Sequence, residues 1–178
     1  MTGHRTSQSV LILSNALSGG GAEVVARLMV ANIDGASCVL FENNADISVP
    51  GKEIRSAYQQ HGTGIASKVL VNFWRLIFIQ WAKLRLRPSA TISHLEGPNF
   101  FNVLTVFGGK KILFVHNMVS QSYPGSSLTE VLKRSLCRIL YKHADRVIGV
   151  SQGVCDELRD SLTIDPSKIY LLPNPVDV

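Results

Sequence analysis

The chain has 178 residues, 46% of them apolar and 17% charged, with seven prolines and a slightly positive mean hydropathy. That is enough to bury one sizeable core, too long to depend on disulfide staples, and too apolar for disorder along its length. Eighteen Lys and Arg against 13 Asp and Glu leave a net charge of +5, which suggests an anionic partner such as phosphate, nucleic acid or an acidic membrane surface.

In chain order the pattern predicts a strand over Val10 to Ser14, a helix over Ala22 to Ile33, and strands over Cys38 to Phe41 and Glu53 to Ala57. A long helix over Ile65 to Leu86 follows, then a strand over Ala90 to His94, a helix over Asn99 to Phe107 and a strand over Lys111 to His116. The remainder reads as a helix over Leu128 to His143, a strand over Arg146 to Val150, a helix over Gly153 to Ser161 and a strand over Ile169 to Leu172. Ser127 followed three residues later by Glu130 is a capping box that marks the start of the fourth helix. Runs such as VLIL and KILFV are apolar on both faces, which implies a parallel sheet covered on both sides: a doubly wound, Rossmann-like α/β fold. No repeat or linker divides the chain, so residues 1–178 are expected to form a single domain. Ligands of such sheets bind beyond the carboxyl ends of the strands, which singles out the loops after Ser14, Leu95, His116 and Val150.

The charge is unevenly placed. Residues 1–60 carry four bases and five acids, residues 61–111 seven and one, and residues 112–178 seven of each, so the excess lies in the middle. Most of it belongs to the helix Ile65 to Leu86. There Leu70, Trp74, Ile77, Trp81 and Leu84 form one stripe and Lys68, Asn72, Arg75 and Lys83 the opposite one. The tryptophan stripe is expected to pack on the sheet. The basic stripe, continued by Arg85 and Arg87, then faces either water alone or anionic lipid head groups and lipid-linked phosphate. At about 1 kcal/mol per base, four or five could hold a protein reversibly to such a surface. Nucleic acid is disfavoured, because the aromatics lie opposite the bases and no RNP, zinc or recognition-helix pattern is present.

Cys38, Cys137 and Cys155 are far apart and never form CxxC, which predicts a reducing compartment and no metal site. The opening MTGHRTSQ lacks a secretory pattern, and the most apolar window, Val69 to Ala82, is broken by Asn72, Arg75 and Gln80 and falls short of the roughly 20 residues that span a bilayer.

The loop NALSGGGAE joins the first strand to the first helix. Gly19, Gly20 and Gly21 allow close backbone approach, and helix N–H groups aimed from there suit a phosphate or pyrophosphate; the alternative is a permissive turn. The loop lacks the third glycine of the dinucleotide fingerprint, although Glu42 stands about twenty residues on, where a ribose-binding acid is placed in that fold. His116 ends a central strand and is followed by Asn117. It can hydrogen-bond a substrate hydroxyl or phosphate, or simply a core carbonyl. Glu96, the single acid of the basic stretch, can orient a sugar hydroxyl or pair with a base. Ser151 is placed to cap a helix at the same edge.

Three segments together resemble a known family: VLILSNALSGGGAEVVARLMVANI; the pair TISHLEGPNFFNVL and KILFVHN; and ADRVIGVSQGVCDELRDSLTIDPSKIYLLPNPVDV. They resemble the N-terminal half of retaining GT-B glycosyltransferases of family 4, with the flavour of bacterial enzymes that extend polyprenyl-diphosphate-linked or surface glycans. The resemblance covers most of the chain. It implies a two-domain enzyme whose N-terminal domain receives the acceptor while the C-terminal domain binds a nucleotide-diphosphate sugar through an E-x7-E element. No glutamate here has another eight residues later, and Asn174-Pro175-Val176-Asp177 looks like the junction where a second domain begins.

The chain is therefore expected to be an acceptor domain ending at the interdomain hinge, inactive alone, binding no cofactor itself, and completed by a donor domain in cis or in trans. By the same resemblance Gly19, Gly20 and Gly21 approach the donor diphosphate or acceptor phosphate, and His116 sits beside the reacting sugar in a positioning role. Glu96, Asn99 and Asn117 line the acceptor side, and Ser151 the floor of the cleft. The implied partners are a glycan or lipid-linked acceptor and an anionic membrane contacted by Lys68, Arg75, Lys83, Arg85 and Arg87, on the cytoplasmic side, with no nucleic acid. Two readings stay open beside this one: an NAD-type binder that uses Glu42, and a basic interaction module of a split transferase.

Overall fold

The structure is a computed structural model and is described for residues 9–42, 48–57, 64–125 and 127–175. Seven strands form one parallel sheet: β1 (Val10–Ser14), β2 (Ala36–Leu40), β3 (Glu53–Ser56), β4 (Ala90–His94), β5 (Lys110–Val115), β6 (Arg146–Gly149) and β7 (Ile169–Leu171). Their order is β3-β2-β1-β4-β5-β6-β7, with β1 between β2 and β4 at the point where the winding reverses. Around the sheet run α1 (Gly21–Asn32), α2 (Ile65–Leu86), α3 (Glu96–Leu104), α4 (Val119–Ser122), α5 (Leu128–Leu140) and α6 (Gln152–Asp160).

Alternation along β1 divides the core. Ile12 faces α1 with Ala26, Val30, Cys38 and Leu40, while Leu11 and Leu13 face α2 with Val39, Phe41, Ile79 and Ala82. A third cluster joins Leu113, Val115 and Val147 to Cys137, Tyr141, Val154 and Leu158 beneath α5 and α6. All three cysteines are buried free thiols.

Two predicted helices shift, each for a local reason. The helix expected over Asn99 to Phe107 occupies Glu96–Leu104 instead, because Leu95, at φ 69° and ψ 165°, turns the chain sharply out of β4 and lets α3 begin at once. Pro98 falls in the first turn, where its missing N–H is not required. Thr105 then takes extended backbone and its hydroxyl donates back to the Phe101 carbonyl at 2.7 Å, closing the helix. The helix expected over Leu128 to His143 ends at Leu140, and Tyr141–His143 tightens into a 3₁₀ turn. Ser127 caps its start as expected, with its Oγ accepting from the Glu130 N–H at 3.4 Å.

The bounds of α2 are as predicted, but its orientation is reversed. Val71, Ile79, Ala82 and Lys83 face the sheet, whereas Leu70, Trp74, Ile77, Trp81 and Leu84 lie exposed on the outer side. The small and β-branched residues permit a close approach, and polar acceptors wait beneath them. The Arg75 guanidinium donates to the Phe41 carbonyl at 2.8 Å and lies over the Phe41 ring at 5.3 Å. Lys83 is wholly buried, and its Nζ donates to both Oδ1 (2.8 Å) and the carbonyl oxygen (3.0 Å) of Asn102 in α3. A tryptophan stripe could not satisfy those acceptors. Lys83 is therefore not available to a membrane surface and Arg75 is largely engaged below, while Lys68, Arg85 and Arg87 are exposed.

Burial, and after it the charge of Lys111, lowers the Lys83 pKa from 10.5 to about 7. Between those values the unfolded chain holds a proton that the folded chain has released, so stability rises as the pH climbs through the window. In Lys83→Met that rise should flatten, which urea denaturation at about pH 7 and about pH 10 will show.

Candidate functional site

The carboxyl ends of β1, β4, β5 and β6 bring together four loops that are far apart in the chain. The first opens α1. Gly19 has φ 119°, a conformation that a side chain would strain, and Gly20 serves as the N-cap. Glu23, in the first turn, folds back so that a Cβ on Gly20 would lie 2.9 Å from its Oε2. A carboxylate thus already complements the positive end of α1, and a phosphate entering the glycine loop would meet it. Asn174 reaches the same loop, its Nδ2 standing 3.9 Å from where a Gly21 Cβ would be.

The second loop follows β4. Ile92 packs on the α1 face, so His94, two residues on, falls on that face as well. In register His94 is opposite Phe114, and His116 lies two residues beyond Phe114. The two imidazoles consequently meet: His94 Nδ1 and His116 Nε2 are 3.0 Å apart, and the rings stack in a row with Phe114. One ring donates its N–H to the other. The outer nitrogens, His94 Nε2 and His116 Nδ1, are shielded from solvent and have no partner among the described residues. Whichever tautomer holds, one outer nitrogen is a donor and the other an acceptor. Burial, together with His116, lowers the His94 pKa to about 3, and burial lowers that of His116 to about 4. At neutral pH the pair is uncharged.

Leu95 links this pair to α3 through a backbone region that side chains rarely enter, at a cost of about 1–3 kcal/mol. Its turn brings Glu96 to the edge of the site, where the Ser122 hydroxyl donates to the Glu96 carboxylate at 3.5 Å. Burial, and next the charge of Glu96, pushes the nearby Tyr123 phenol up to about 12. The third loop, after His116, is pinned by α6: Glu157 accepts from the N–H groups of Val119 (2.6 Å) and Ser120 (2.9 Å). Asn117 is exposed between His116 and that anchor. In the fourth loop Ser151 caps α6 as expected, accepting from the Val154 N–H at 3.3 Å, and is exposed.

Gly19–Gly21, Glu96, His116, Asn117 and Ser151 therefore share one end of the sheet. Asn99 does not line it: the side chain is wholly buried, donating to the Phe114 carbonyl (3.1 Å) and the Tyr141 hydroxyl (3.4 Å) and accepting from Ser93 Oγ (2.7 Å). It seats α3 on the sheet, and no acceptor can reach it. Val176 and Asp177 of the expected junction lie outside the described residues. His94, Leu95 and Glu157 were not singled out from sequence. His94 could have been, because aligning the predicted strands Ala90 to His94 and Lys111 to His116 puts both histidines at adjacent strand ends. Among the described residues no three His, Cys, Asp or Glu side chains cluster as a metal site, and no helix is long and apolar enough to cross a membrane.

The family model for Glycosyltransferase Family 4 matches residues 19–178. The chain belongs to this family. Solved structures agree on the fold. Sucrose-phosphate synthase from Thermosynechococcus elongatus superposes with a TM-score of 0.70 at 11% identity, over 93% of this chain and 48% of that one. Anabaena Alr3699/HepE in complex with UDP-glucose gives 0.67 at 15% identity, over 95% and 44%. The lipopolysaccharide outer core galactosyltransferase WaaB in its apo form gives 0.66 at 13% identity, over 94% and 46%. The family 4 chain thus spans a little under half the length of these structures. A search of curated protein sequences gives no match.

Both histidine pKa values lie below the unfolded value near 6.5, so the unfolded chain takes up protons first as the pH falls. The stability contributed by the pair is present above about pH 6.5 and is lost progressively toward the folded values. Ring NMR should find both imidazoles neutral at about pH 5, and His94→Leu should lessen the acid-induced loss in urea denaturation. Glu157→Ala strands two amide donors and should destabilise the domain by about 2 kcal/mol.

Proposed function

We propose that this family 4 domain is the acceptor-binding half of a retaining glycosyltransferase, completed by a second domain, in the same chain or a separate one, that presents a nucleotide-diphosphate sugar. The observation that carries this reading is the neutral His94–His116 pair at the carboxyl ends of adjacent central strands, His94 buried and His116 half-buried, with one donor and one acceptor nitrogen unpartnered. His116, the partly exposed member, is the ring that a sugar hydroxyl can meet, as donor or acceptor according to its tautomer. Neutrality at pH 7 suits His116 to orienting such a hydroxyl, with His94 fixing its tautomer and tilt.

In the front-face reaction so proposed, the acceptor oxygen forms a bond to the anomeric carbon as the bond from that carbon to the diphosphate breaks on the same face. The acceptor proton passes to the departing phosphate oxygen, so no protein base is required. Glu96, Asn117 and Ser151 face the acceptor. Gly19–Gly21 approach a phosphate, which requires Glu23 to turn aside. The half-length match supports a partner domain, and the UDP-glucose held by Alr3699/HepE suggests the first donor to try. A hexose is the proposed sugar. The proposed acceptor is a glycan or polyprenyl-linked saccharide at the cytoplasmic face of the membrane.

Two measurements test this. The isolated chain should transfer nothing from UDP-glucose, while a polyprenyl-diphosphate saccharide should shift the His94 and His116 ring signals. Binding of NAD instead, lost in Glu42→Ala, would overturn the reading in favour of a dinucleotide binder. Joined to a family 4 donor domain, the chain should transfer sugar, and His116→Ala should lower kcat by on the order of 10²-fold with little change in donor affinity.

A further inference from the structure

The outer face of α2 carries large apolar side chains where a crossover helix ordinarily carries charge. Leu70, Phe73, Trp74, Ile77, Trp81 and Leu84 are all exposed, Phe73 at 59%, Trp74 at 40% and Trp81 at 42% of full accessibility. Their spacing makes one continuous stripe. It continues past the helix: a groove of about 340 Å³ joins Ile77, Trp81 and Leu84 to Leu104, and Leu84 and Phe107 line a second depression with Arg87. Phe107 is held outward at φ 64°, next to Val106, whose N–H and carbonyl are both bonded to the Gln80 side chain (2.9 and 3.0 Å). Buried polar bonds fix this orientation. Arg75 and Lys83 are tied down on the inner side, so rolling the aromatics inward would strand their buried acceptors on Phe41 and Asn102. A contiguous apolar patch held open in this way marks an interaction surface.

What borders the patch indicates what covers it. The sequence has no acid between Glu53 and Glu96. Arg85 and Arg87 are exposed at the end of α2, and Lys110 is exposed three residues beyond Phe107. Arg55 and Arg85 both lie over the Trp81 ring, at 5.0 and 5.6 Å. The carboxylate at that edge, Glu53, is engaged by Arg55. Tryptophan and phenylalanine with a rim of arginine match the boundary of an anionic bilayer, where rings settle among the head groups and guanidinium groups meet lipid phosphates. We propose that the α2 face docks on an anionic lipid bilayer, with Phe73, Trp74, Ile77 and Trp81 entering the head-group region and Arg85 and Arg87 on lipid phosphate. This goes beyond the proposed transfer reaction and does not rest on it.

The chain has two tryptophans, Trp74 and Trp81, and both lie on this face, so intrinsic fluorescence reports its occupancy directly. With vesicles of phosphatidylcholine and phosphatidylglycerol, emission should shift to the blue and be quenched by brominated acyl chains. Pure phosphatidylcholine vesicles should give a much weaker response. Arg85→Gln with Arg87→Gln should weaken partitioning by roughly ten- to thirty-fold. Phe73→Ser with Ile77→Ser should abolish the shift while circular dichroism and the urea midpoint stay unchanged or improve, because both side chains are exposed. An unshifted spectrum with anionic vesicles, binding indifferent to lipid charge and to the arginine changes, or lipid-free dimerisation that buries the tryptophans would each overturn the proposal. Sugar transfer is not the readout, so failure here is distinguishable from failure of the proposed function.

Discussion

A buried chain of polar side chains between the sheet and two helices sets much of this molecule. Lys83 of α2 donates to Asn102 of α3; Asn102 donates to the Thr91 carbonyl (3.0 Å) and to Ser93 Oγ (3.1 Å) of β4; Ser93 in turn donates to Asn99, which reaches the Phe114 carbonyl of β5 and the Tyr141 hydroxyl. Each member is wholly buried, and each bond satisfies a group that would otherwise be stranded. The chain seats α3 against β4 and β5, which starts that helix one residue after β4 and forces the turn at Leu95. It also fixes which side of α2 faces down.

Consequences appear on both sides of the sheet. On the α1 side, the abrupt end of β4 leaves His94 level with Phe114 and within reach of His116, and burial keeps both rings neutral. On the other side, the lysine that anchors α2 turns its tryptophans to the surface. One network of neutral amides and hydroxyls with a single lysine thereby governs a hydroxyl-binding pair and an exposed aromatic face. The relation is physical: a buried donor or acceptor left unpaired costs about as much as an exposed apolar side chain forgoes, so polar partners beneath a helix can decide which face it buries.

Much of the fold was legible in the sequence. Strand positions follow from short β-branched runs, α2 was bounded to the residue, and the capping box at Ser127 located the start of α5, because each of these signals is local. The helix after β4 was misplaced by three residues, since a leucine at φ 69° carries no sequence mark. The four-residue α4 is too short to show a period. At the site, the glycine loop, Glu96, His116, Asn117 and Ser151 were drawn to one edge by the rule that loops after parallel strands converge. Asn99 was misjudged because an asparagine in a cleft and one in a buried network are identical in sequence.

The amino-acid pattern alone determined the doubly wound class, the one-sided charge and the stripe of aromatics opposite the bases on Ile65–Leu86, for these depend on composition and periodicity. Which stripe would face the sheet was beyond it. Periodicity records that a helix has two faces and leaves open what lies underneath. Only the tertiary structure supplied the acceptors of Asn102 and Phe41, and with them the reason that Lys83 and Arg75 turn inward while Trp74 and Trp81 turn out.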